Sequence, residues 1–281
     1  MRINRVEPYL KNWTEILEKQ WLEEFGGIKA WAVGQGREAL FYILKALPRE
    51  FGNKVYIQSH TCQSVFDTIE KAGFKIIHDI DNSDYKIAII THLFGIPNVE
   101  LDYLTDINKF IIEDCAQCVG AKYRNKFVGS FGDASFYSFG FDKPISANGG
   151  GMLVLNELKL LQAVDWLIET KLSQINSLIA LEQMKEYNEI QAIRNQNAEY
   201  YQNYLSSQKY ELPFISKDCE PSFIRFPIIA KKQPAIKIAE ICQGKGFDIR
   251  SWGANRPENL LCLPVHQFAD LKTITDFLND L

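Results

Sequence analysis

Apolar residues recur along this chain at two spacings that alternate from one segment to the next. Helical spacing, in which apolar side chains return every third or fourth residue, predicts helices over 1–27, 37–47, 62–72 and 157–206. Short runs rich in Val, Ile and Phe predict strands at 28–33, 55–57, 75–80, 86–91, 109–112, 134–138 and 151–155. Short apolar strands that alternate with helices predict a mostly parallel sheet covered by helices on both faces.

The pattern changes after about residue 206. A strand-like stretch at 223–230 is followed by helical patterns at 235–243 and 271–281, which predicts a smaller α+β domain. We therefore predict an α/β protein with a large domain over residues 1–206 and a small C-terminal domain over residues 207–281. The N-terminal helix belongs to the large domain in this division, with packing against the small domain as the alternative.

Composition and charge narrow the class of protein. The hydrophobic fraction of 46% and the charged fraction of 23% are those of a folded globular chain. A net charge of −4 gives no chain-wide basic field for nucleic acid, and no apolar run reaches the roughly 18 residues that span a bilayer. The first residues lack the apolar centre of a signal peptide, and six scattered cysteines fit a reducing compartment. We expect a cytoplasmic protein that binds neither nucleic acid nor membrane.

Ligands of parallel sheets gather at the carboxyl ends of the strands, so polar residues that follow the predicted strands are candidates for a site. The turn Gly-Gln-Gly-Arg-Glu at 34–38 opens a helix directly after a strand. Free backbone N–H groups there can hold a phosphate, and Arg37 can add charge. A simple connection between strand and helix is an equally good interpretation, with Arg37 paired to Glu38 or to another surface carboxylate.

Two further residues could carry chemistry. Asp114 follows a strand and could pair with the cationic ring nitrogen of a cofactor, with a structural helix cap as the alternative role. Lys143 lies in the aromatic, glycine-rich segment SFGFDKPISANGGG, where a lysine can have a lowered pKa and form a Schiff base. A solvated surface lysine is the ordinary alternative, so these residues must be judged as a set.

Taken together, the segment IEDCAQCVGAKYRNKFVGSFGDASFYSFGFDKPISANGGGMLVLN at 112–156 resembles the DegT/DnrJ/EryC1/StrS family of sugar aminotransferases. These proteins use pyridoxal phosphate on the aspartate-aminotransferase fold, called fold type I. The segment has the family's Glu-Asp-x-Ala-Gln, Gly-x-x-Gly-Asp, Ser-Phe-x-x-x-Lys and Gly-Gly motifs in the family's order. GREAL at 36–40, THLFGIP at 91–97 and LPVH at 263–266 are similar to further family motifs.

The resemblance assigns roles residue by residue. It implies that Lys143 is the Schiff-base lysine and that Asp114 is the partner of the pyridinium nitrogen of pyridoxal 5'-phosphate. The other residues that it places at the cofactor are Gln117 against the ring and, at the phosphate, Ser138, Gly36 and Arg37.

Several features depart from the family pattern. Arg37 stands where members usually have threonine, and Cys62 where they usually place an aromatic residue that stacks on the cofactor. The chain is also shorter than usual, with material missing between residues 81 and 86 and before residues 172–173, where members usually place substrate-contacting residues. The departures therefore bear on substrate recognition more than on the cofactor.

The remaining candidates concern substrate and metal. His92 follows a strand at the expected site, and Arg250 and Trp252 lie where family members turn the small domain toward the substrate, so we assign these three to substrate binding. Cys115 and Cys118 have the spacing of half a zinc site or of a redox pair, but no second pair follows. We expect two buried small residues there and no metal.

Three functions compete. The first is transfer of an amino group, with glutamate as the expected donor, to a keto sugar carried on a nucleotide, by a homodimer whose sites lie at the subunit interface. The second is deoxygenation of a sugar with the same cofactor; relatives of that branch replace the lysine with histidine, so Lys143 favours amino transfer. The third is a shortened homologue that binds or regulates without catalysis.

Overall fold

The computed structural model describes residues 11–106, 109–251 and 259–281. The helices in these ranges are, in chain order, α1 (Trp13–Phe25), α2 (Gly36–Ala46), α3 (Gln63–Lys71), α4 (Glu100–Asp106), α5 (Leu161–Leu167), α6 (Gln174–Tyr204), α7 (Ala235–Gly244) and α8 (Leu271–Asp280). The strands are β1 (Lys29–Val33), β2 (Lys54–Ile57), β3 (Lys75–Ile77), β4 (Ile87–Thr91), β5 (Phe110–Asp114), β6 (Lys122–Tyr123), β7 (Lys126–Phe127), β8 (Ala134–Ser138), β9 (Gly151–Leu155), β10 (Tyr210–Glu211), β11 (Cys219–Glu220), β12 (Arg225–Ala230), β13 (Arg250–Ser251) and β14 (Leu260–Pro264). Among the helices of these ranges, none combines the length and the apolar character that crossing a membrane requires.

The large sheet contains seven strands in the order β1-β9-β8-β5-β4-β2-β3. The five strands from β8 to β3 pair in parallel, whereas β9 pairs antiparallel with both β8 and β1. This confirms the predicted mostly parallel sheet, with antiparallel pairing confined to one edge. Because β8 and β9 are antiparallel neighbours, the glycine-rich loop 139–150 between them lies at the carboxyl end of β8, on the same side of the sheet as the end of β5.

Helices cover both faces of the large sheet, because its strands carry apolar residues on both sides. In β1, Trp31 and Val33 pack in one apolar cluster with residues of α2, α3 and α5. Ala30 and Ala32 pack in a second cluster with residues of α1, α4 and α6. Burial on both faces is typical of parallel sheets in α/β proteins, and the architecture confirms the predicted α/β class.

The helical pattern predicted over 157–206 is divided between α5 and α6. The residues between these helices run beside β1, where Leu172 N donates to Ala32 O at 2.9 Å and Gly34 N donates to Thr170 O at 3.3 Å. The segment therefore covers the edge of the sheet, whose unpaired backbone groups would otherwise be open to another strand. Pairing with this edge is the physical reason why one long helix does not form.

A second sheet contains four antiparallel strands in the order β10-β12-β14-β13. Residues of α7 and α8 pack on it in an apolar cluster that includes Phe226 and Leu261. The long helix α6 contacts both sheets, since its Leu181 belongs to a cluster of the large sheet and its Tyr201 to the cluster of the small sheet. A three-stranded sheet, β11-β6-β7, completes the fold. The domain boundary at residue 206 stays a prediction.

Candidate active site

A cavity of about 240 Å³ lies at the carboxyl ends of β5 and β8, beside the first residues of α2 and α3. The residues assigned to the cofactor from the sequence all line it, namely Gly36, Arg37, Cys62, Asp114, Gln117, Ser138 and Lys143. Parallel strands end at one edge of a sheet, which explains why residues more than 100 positions apart meet there. The structure therefore brings together all the residues that the sequence assigned to the cofactor.

Asp114 is the last residue of β5, and its carboxylate is almost fully buried. Ala116 N donates to Asp114 Oδ1 at 3.1 Å, and Thr91 Oγ1 donates to Asp114 Oδ2 at 3.4 Å. Burial raises the pKa of Asp114, although these hydrogen bonds and the charge of Lys143 act in the opposite direction. A buried carboxylate in this state gains stability from a cationic partner in the cavity.

Glu113 precedes Asp114 and points to the opposite face of the sheet, because side chains alternate along a strand. Its carboxylate accepts hydrogen bonds from the backbone N–H groups of Gly129, Phe131 and Gly132, each at 2.7 Å. The Nε2 atom of His92 lies 3.1 Å from Glu113 Oε2. Glu113 therefore fixes the 129–132 turn and the His92 ring, while Asp114 faces the cavity.

His92 does not line the cavity. Its side chain is fully buried, and Asn98 N donates to Nδ1 at 3.0 Å while Nε2 faces Glu113. Both ring nitrogens are thus engaged within the protein, and the structure places His92 away from the position that the sequence suggested for a substrate contact.

Lys143 lies in the loop after β8, with 16% of its side chain exposed. Its backbone N–H donates to Gly140 O at 3.1 Å, which fixes the turn that carries the side chain. The Nζ atom is 3.8 Å from Asp142 Oδ1. The side chain lines the same cavity as Asp114, so an amine and a buried carboxylate face a common space.

The opposite end of the cavity is formed by the start of α2. Gln35 precedes this helix without a capping hydrogen bond from its side chain, unlike the residues that precede α1, α6 and α8. A Cβ atom at Gly36 would lie 2.9 Å from Tyr137 O and 3.1 Å from Ser138 Cβ, so a glycine is needed for this close approach. The helix N-terminus and Ser138 therefore meet at a point that suits an anion.

Arg37 is exposed beside this N-terminus and lines the cavity. Glu38, the surface partner that the sequence offered as an alternative, accepts instead from Thr170 Oγ1 at 2.8 Å. No ion pair involves Arg37 within the ranges that the structure describes. Its guanidinium is therefore placed to add positive charge at this end of the cavity.

Gln117 and Cys62 lie between this cavity and a second one. Gln117 Oε1 accepts from Phe94 N at 2.8 Å, which supports a turn where Phe94 has the left-handed backbone angle φ of 60°. Cys62 is exposed, and Ser64 Oγ donates to its sulfur at 3.3 Å. Neither side chain offers a ring that could stack on a planar cofactor.

The second cavity, of about 300 Å³, opens between the large and the small sheets. Lys143, Cys62 and Gln117 line both cavities, which are therefore adjacent. Arg250 lines the second cavity, as its assignment to substrate binding expected, and Arg225 does so as well. Arg225 was not predicted from the sequence, although a single arginine inside the apolar strand FIRFPIIA was a usable signal. Trp252, the remaining substrate candidate, lies outside the described residues.

Cys115, Cys118 and His92 form a buried cluster whose possible ligand atoms lie within 4.8 Å of one another. Burial raises the pKa of both thiols and so favours their protonated forms, whereas metals bind thiolates. Both ring nitrogens of His92 are engaged in the contacts described above. The two cysteines pack in the apolar cluster of the large sheet, as expected for buried small residues.

Comparison with known proteins identifies a family and individual relatives of this chain. The model of the DegT/DnrJ/EryC1/StrS aminotransferase family matches residues 12–246. The chain is similar to the GDP-perosamine synthase of Escherichia coli O157:H7, with 30% identity over 53% of this chain and 46% of that protein. It is also similar to the UDP-N-acetyl-3-dehydro-alpha-D-glucosamine 3-aminotransferase of Acidithiobacillus ferrooxidans, with 25% identity over 74% of this chain and 66% of that protein. The chain thus spans about half the length of the first of these relatives.

Solved structures share the fold over nearly the whole chain. The aminotransferase PseC of Helicobacter pylori, described as acting in the biosynthesis of pseudoaminic acid, superposes with a TM-score of 0.88 at 16% identity. The match covers 96% of this chain and 91% of that one. At this identity the likeness establishes the fold, and the family match confirms the resemblance found in the sequence.

Proposed function

Because the chain belongs to the DegT/DnrJ/EryC1/StrS aminotransferase family, we propose that it is an aminotransferase that uses pyridoxal 5'-phosphate. It moves an amino group from a donor, glutamate, to a keto sugar carried on a nucleotide. The observation that carries this proposal is that Lys143, Asp114 and the first turn of α2 line one and the same cavity. Family members use pyridoxal phosphate, and that cofactor has chemical groups that match each end of this cavity.

The phosphate end fits first. The start of α2 has no side-chain cap, Gly36 allows close approach of the backbone, and Ser138 supplies a hydroxyl. Arg37 adds a guanidinium beside them. Together these groups supply the N–H donors and the positive field that bind a phosphate dianion.

The ring end fits as well. Asp114 is buried, its pKa is raised by burial, and the carboxylate faces the cavity. A protonated ring nitrogen would supply the cation that this carboxylate lacks, and Asp114 would in turn hold the proton on that nitrogen. Gln117 would contact the ring from the other cavity wall, while Cys62 would fill the stacking position with a small thiol.

Lys143 would hold the cofactor covalently through Nζ and, once released by the amino donor, would carry a proton between Nζ and a substrate carbon. General acid–base transfer of this kind contributes about 10²- to 10⁴-fold to rates. When bound, pyridoxal phosphate supplies an electron sink that makes such a carbon acidic. Asp114 would hold the proton on the ring nitrogen, and the turn at Gly140 would keep Nζ of Lys143 within reach.

Relatives support a nucleotide sugar as the amino acceptor. The names of the two relatives described above contain GDP and UDP. We place the protein in the cytoplasm, in keeping with six free cysteines. We further propose that it works as a homodimer, as the family resemblance implies.

Two other functions lead to different observations. A sugar-deoxygenating relative would use histidine in place of Lys143, so the lysine itself favours amino transfer. A shortened binding or regulatory homologue would not need a lysine and a buried carboxylate facing one cavity. Arg37, Cys62 and the short loops are the features that favour it.

Covalent labelling tests the proposal. Purified protein is loaded with pyridoxal phosphate, reduced with borohydride and digested, and the labelled peptide is sequenced by mass spectrometry. We expect one label on Lys143, no label on Lys126, and loss of the label in Lys143→Ala. A label on another lysine contradicts the assignment, and a protein that takes up no cofactor supports the binding or regulatory function.

A further inference from the structure

The wall opposite Lys143 in the second cavity comes from the small sheet. Arg225 begins β12 and Arg250 begins β13, and both strands flank β14. Arg225 pairs in register with Pro264, and Arg250 pairs with Cys262, two residues along the same strand. Residues two apart on a strand share a face, so the sheet directs both arginines toward the same side.

Asp248 holds the two arginines together. Arg225 Nη2 donates to Asp248 Oδ2 at 2.7 Å, and Arg225 Nη1 donates to the backbone oxygen of Asp248 at 3.0 Å. Arg250 Nε donates to Asp248 Oδ1 at 2.9 Å. One carboxylate therefore fixes two guanidinium groups and balances the charge of only one, which leaves this wall with a net positive charge.

The position of this wall relative to Lys143 is also fixed. Ile224 N donates to Phe94 O at 3.0 Å, and Ser222 N donates to Gly95 O at 2.8 Å. The same turn donates from Phe94 N to Gln117 Oε1. A continuous set of hydrogen bonds thus runs from the residue before Arg225 to Gln117, which lines both cavities with Lys143.

We propose that Arg225 and Arg250 bind an anionic group of the substrate, a carboxylate or a phosphate, across the cavity from Lys143, and that Asp248 is the residue that positions them. Guanidinium forks bind both kinds of oxyanion through paired N–H donors, and Arg225 is mostly shielded from water, which strengthens such contacts. This inference rests on the proposed aminotransferase function, because it names the group by which the substrate is held. The carboxylate would come from the amino donor, and the phosphate from the nucleotide of the sugar.

Two probes distinguish these sources. Glutarate carries the carboxylates of the donor without its amino group, and uridine diphosphate carries the phosphates of a nucleotide sugar. Their dissociation constants are measured by calorimetry on cofactor-loaded and on cofactor-free protein, at low and at moderate salt. We expect Arg250→Gln to weaken binding of at least one probe about 10- to 100-fold, the range for a lost hydrogen bond to a charged group.

Asp248→Asn tests positioning separately. We expect it to weaken the same probe several-fold while the cofactor absorbance and the melting temperature change little, and Asp248→Glu should restore part of the affinity. Arg124→Gln is the matched control, since Arg124 is 57% exposed and pairs with Asp102 at 2.7 Å, much as Arg250 is 53% exposed and pairs with Asp248 at 2.9 Å. The control should bind both probes as the wild type does.

The pattern of binding losses identifies which anionic group the two arginines hold. Loss of glutarate binding alone assigns the wall to the amino donor, loss of uridine diphosphate binding alone assigns it to the nucleotide, and loss of both assigns it to oxyanions in general. Unchanged affinities in Arg250→Gln, or no binding of either probe to the wild type, overturn the proposal. Failure of the proposed function would appear separately, as a protein that takes up no cofactor.

Discussion

The two walls of the cleft are built on different principles. The wall that carries Asp114, Ser138 and Lys143 consists of residues at or just after the ends of neighbouring strands in the large sheet. The wall that carries Arg225 and Arg250 consists of the first residues of two strands that each pair antiparallel with β14, joined through Asp248, which lies two residues before Arg250. The first wall follows from local motifs, whereas the second arises only when distant segments fold together.

The walls also differ in how their carboxylates are satisfied. Burial raises the pKa of Asp114, and the charge of Lys143 and the hydrogen bonds from Ala116 and Thr91 offset that effect only in part. Burial alone would raise the pKa of Asp248 too, but the hydrogen bonds and charges of Arg225 and Arg250 outweigh it and hold that pKa below its usual range. The carboxylate of the first wall is therefore destabilised by burial, whereas the carboxylate of the second wall is stabilised by two guanidinium groups.

The largest expected effect concerns the first wall. Asp114→Asn keeps the shape of the side chain but removes the charge that would hold a ring nitrogen protonated. We expect conversion of the bound cofactor by glutamate, followed by absorbance, to slow by about 10²-fold or more, the scale of a lost preorganised electrostatic contact. Wild-type rates in a folded Asp114→Asn protein would remove this residue from the mechanism.

Its neighbour Glu113 supplies the matched control. Glu113→Gln places an amide against the N–H groups of Gly129, Phe131 and Gly132, and an amide nitrogen cannot accept from them. We expect a lower melting temperature, at about 1–3 kcal/mol for each buried donor left unsatisfied. The Glu113→Gln protein that remains folded should convert the bound cofactor with glutamate far faster than Asp114→Asn does, because Glu113 faces away from the cavity.

A smaller effect is expected at the phosphate end. Arg37→Ala should weaken pyridoxal phosphate binding about 10-fold or more at low salt and less at high salt, since a charge-assisted contact of about 1.5–3 kcal/mol is lost. The melting temperature of the cofactor-free protein should not change, because Arg37 is exposed. Equal cofactor affinity in Arg37→Ala and wild type at both salt concentrations would leave the backbone turn alone to hold the phosphate.

Lys45→Ala is the control for Arg37. Lys45 lies further along α2 and shares with Arg37 an outer groove of about 520 Å³, but it does not line the cavity that contains Lys143. If Arg37 contributed only to the general positive field, both substitutions would weaken pyridoxal phosphate binding equally. If Arg37 contacts the phosphate directly, only Arg37→Ala should weaken pyridoxal phosphate binding.

Much of the first wall could be predicted from sequence, for a physical reason. Parallel strands end at one edge, so motifs that follow separate strands converge without any knowledge of distant packing. The reversed direction of β9, which lies between the edge strand β1 and β8, was not predictable, because a short apolar run has the same pattern whichever way the strand runs. The covering segment between α5 and α6 was missed for a related reason, since its pairing with β1 depends on tertiary contact.

The second wall depends on contacts that no local sequence pattern carries. Arg250 was assigned to substrate binding only through family resemblance. Asp248, two residues earlier, was not predicted, because exposed Asp and Arg residues are common in loops. His92 was placed at the site from its position after β4, but its side chain is engaged by Glu113 and Asn98 N. Its orientation depends on a carboxylate 21 residues away, and no local pattern carries that information.

The smallest expected effect is the pH dependence of stability, where the two carboxylates should act with opposite sign. The folded-state pKa of Asp248 is lowered, so its contribution is fully present above the ordinary carboxyl pKa of about 4 and is lost as the pH falls through the folded-state value. The folded-state pKa of Asp114 is raised in the cofactor-free protein, so charging it costs stability as the pH rises.

Urea unfolding of the cofactor-free wild type, Asp248→Asn and Asp114→Asn between about pH 3 and pH 8 measures both contributions to the free energy of unfolding. Relative to the wild type, Asp248→Asn should be less stable at neutral pH by no more than about 1 kcal/mol, since solvent screens a side chain that is 43% exposed. That deficit should shrink as the pH falls below about 4, while Asp114→Asn should gain stability relative to the wild type as the pH rises. Parallel pH profiles for the two variants would contradict the difference between the walls.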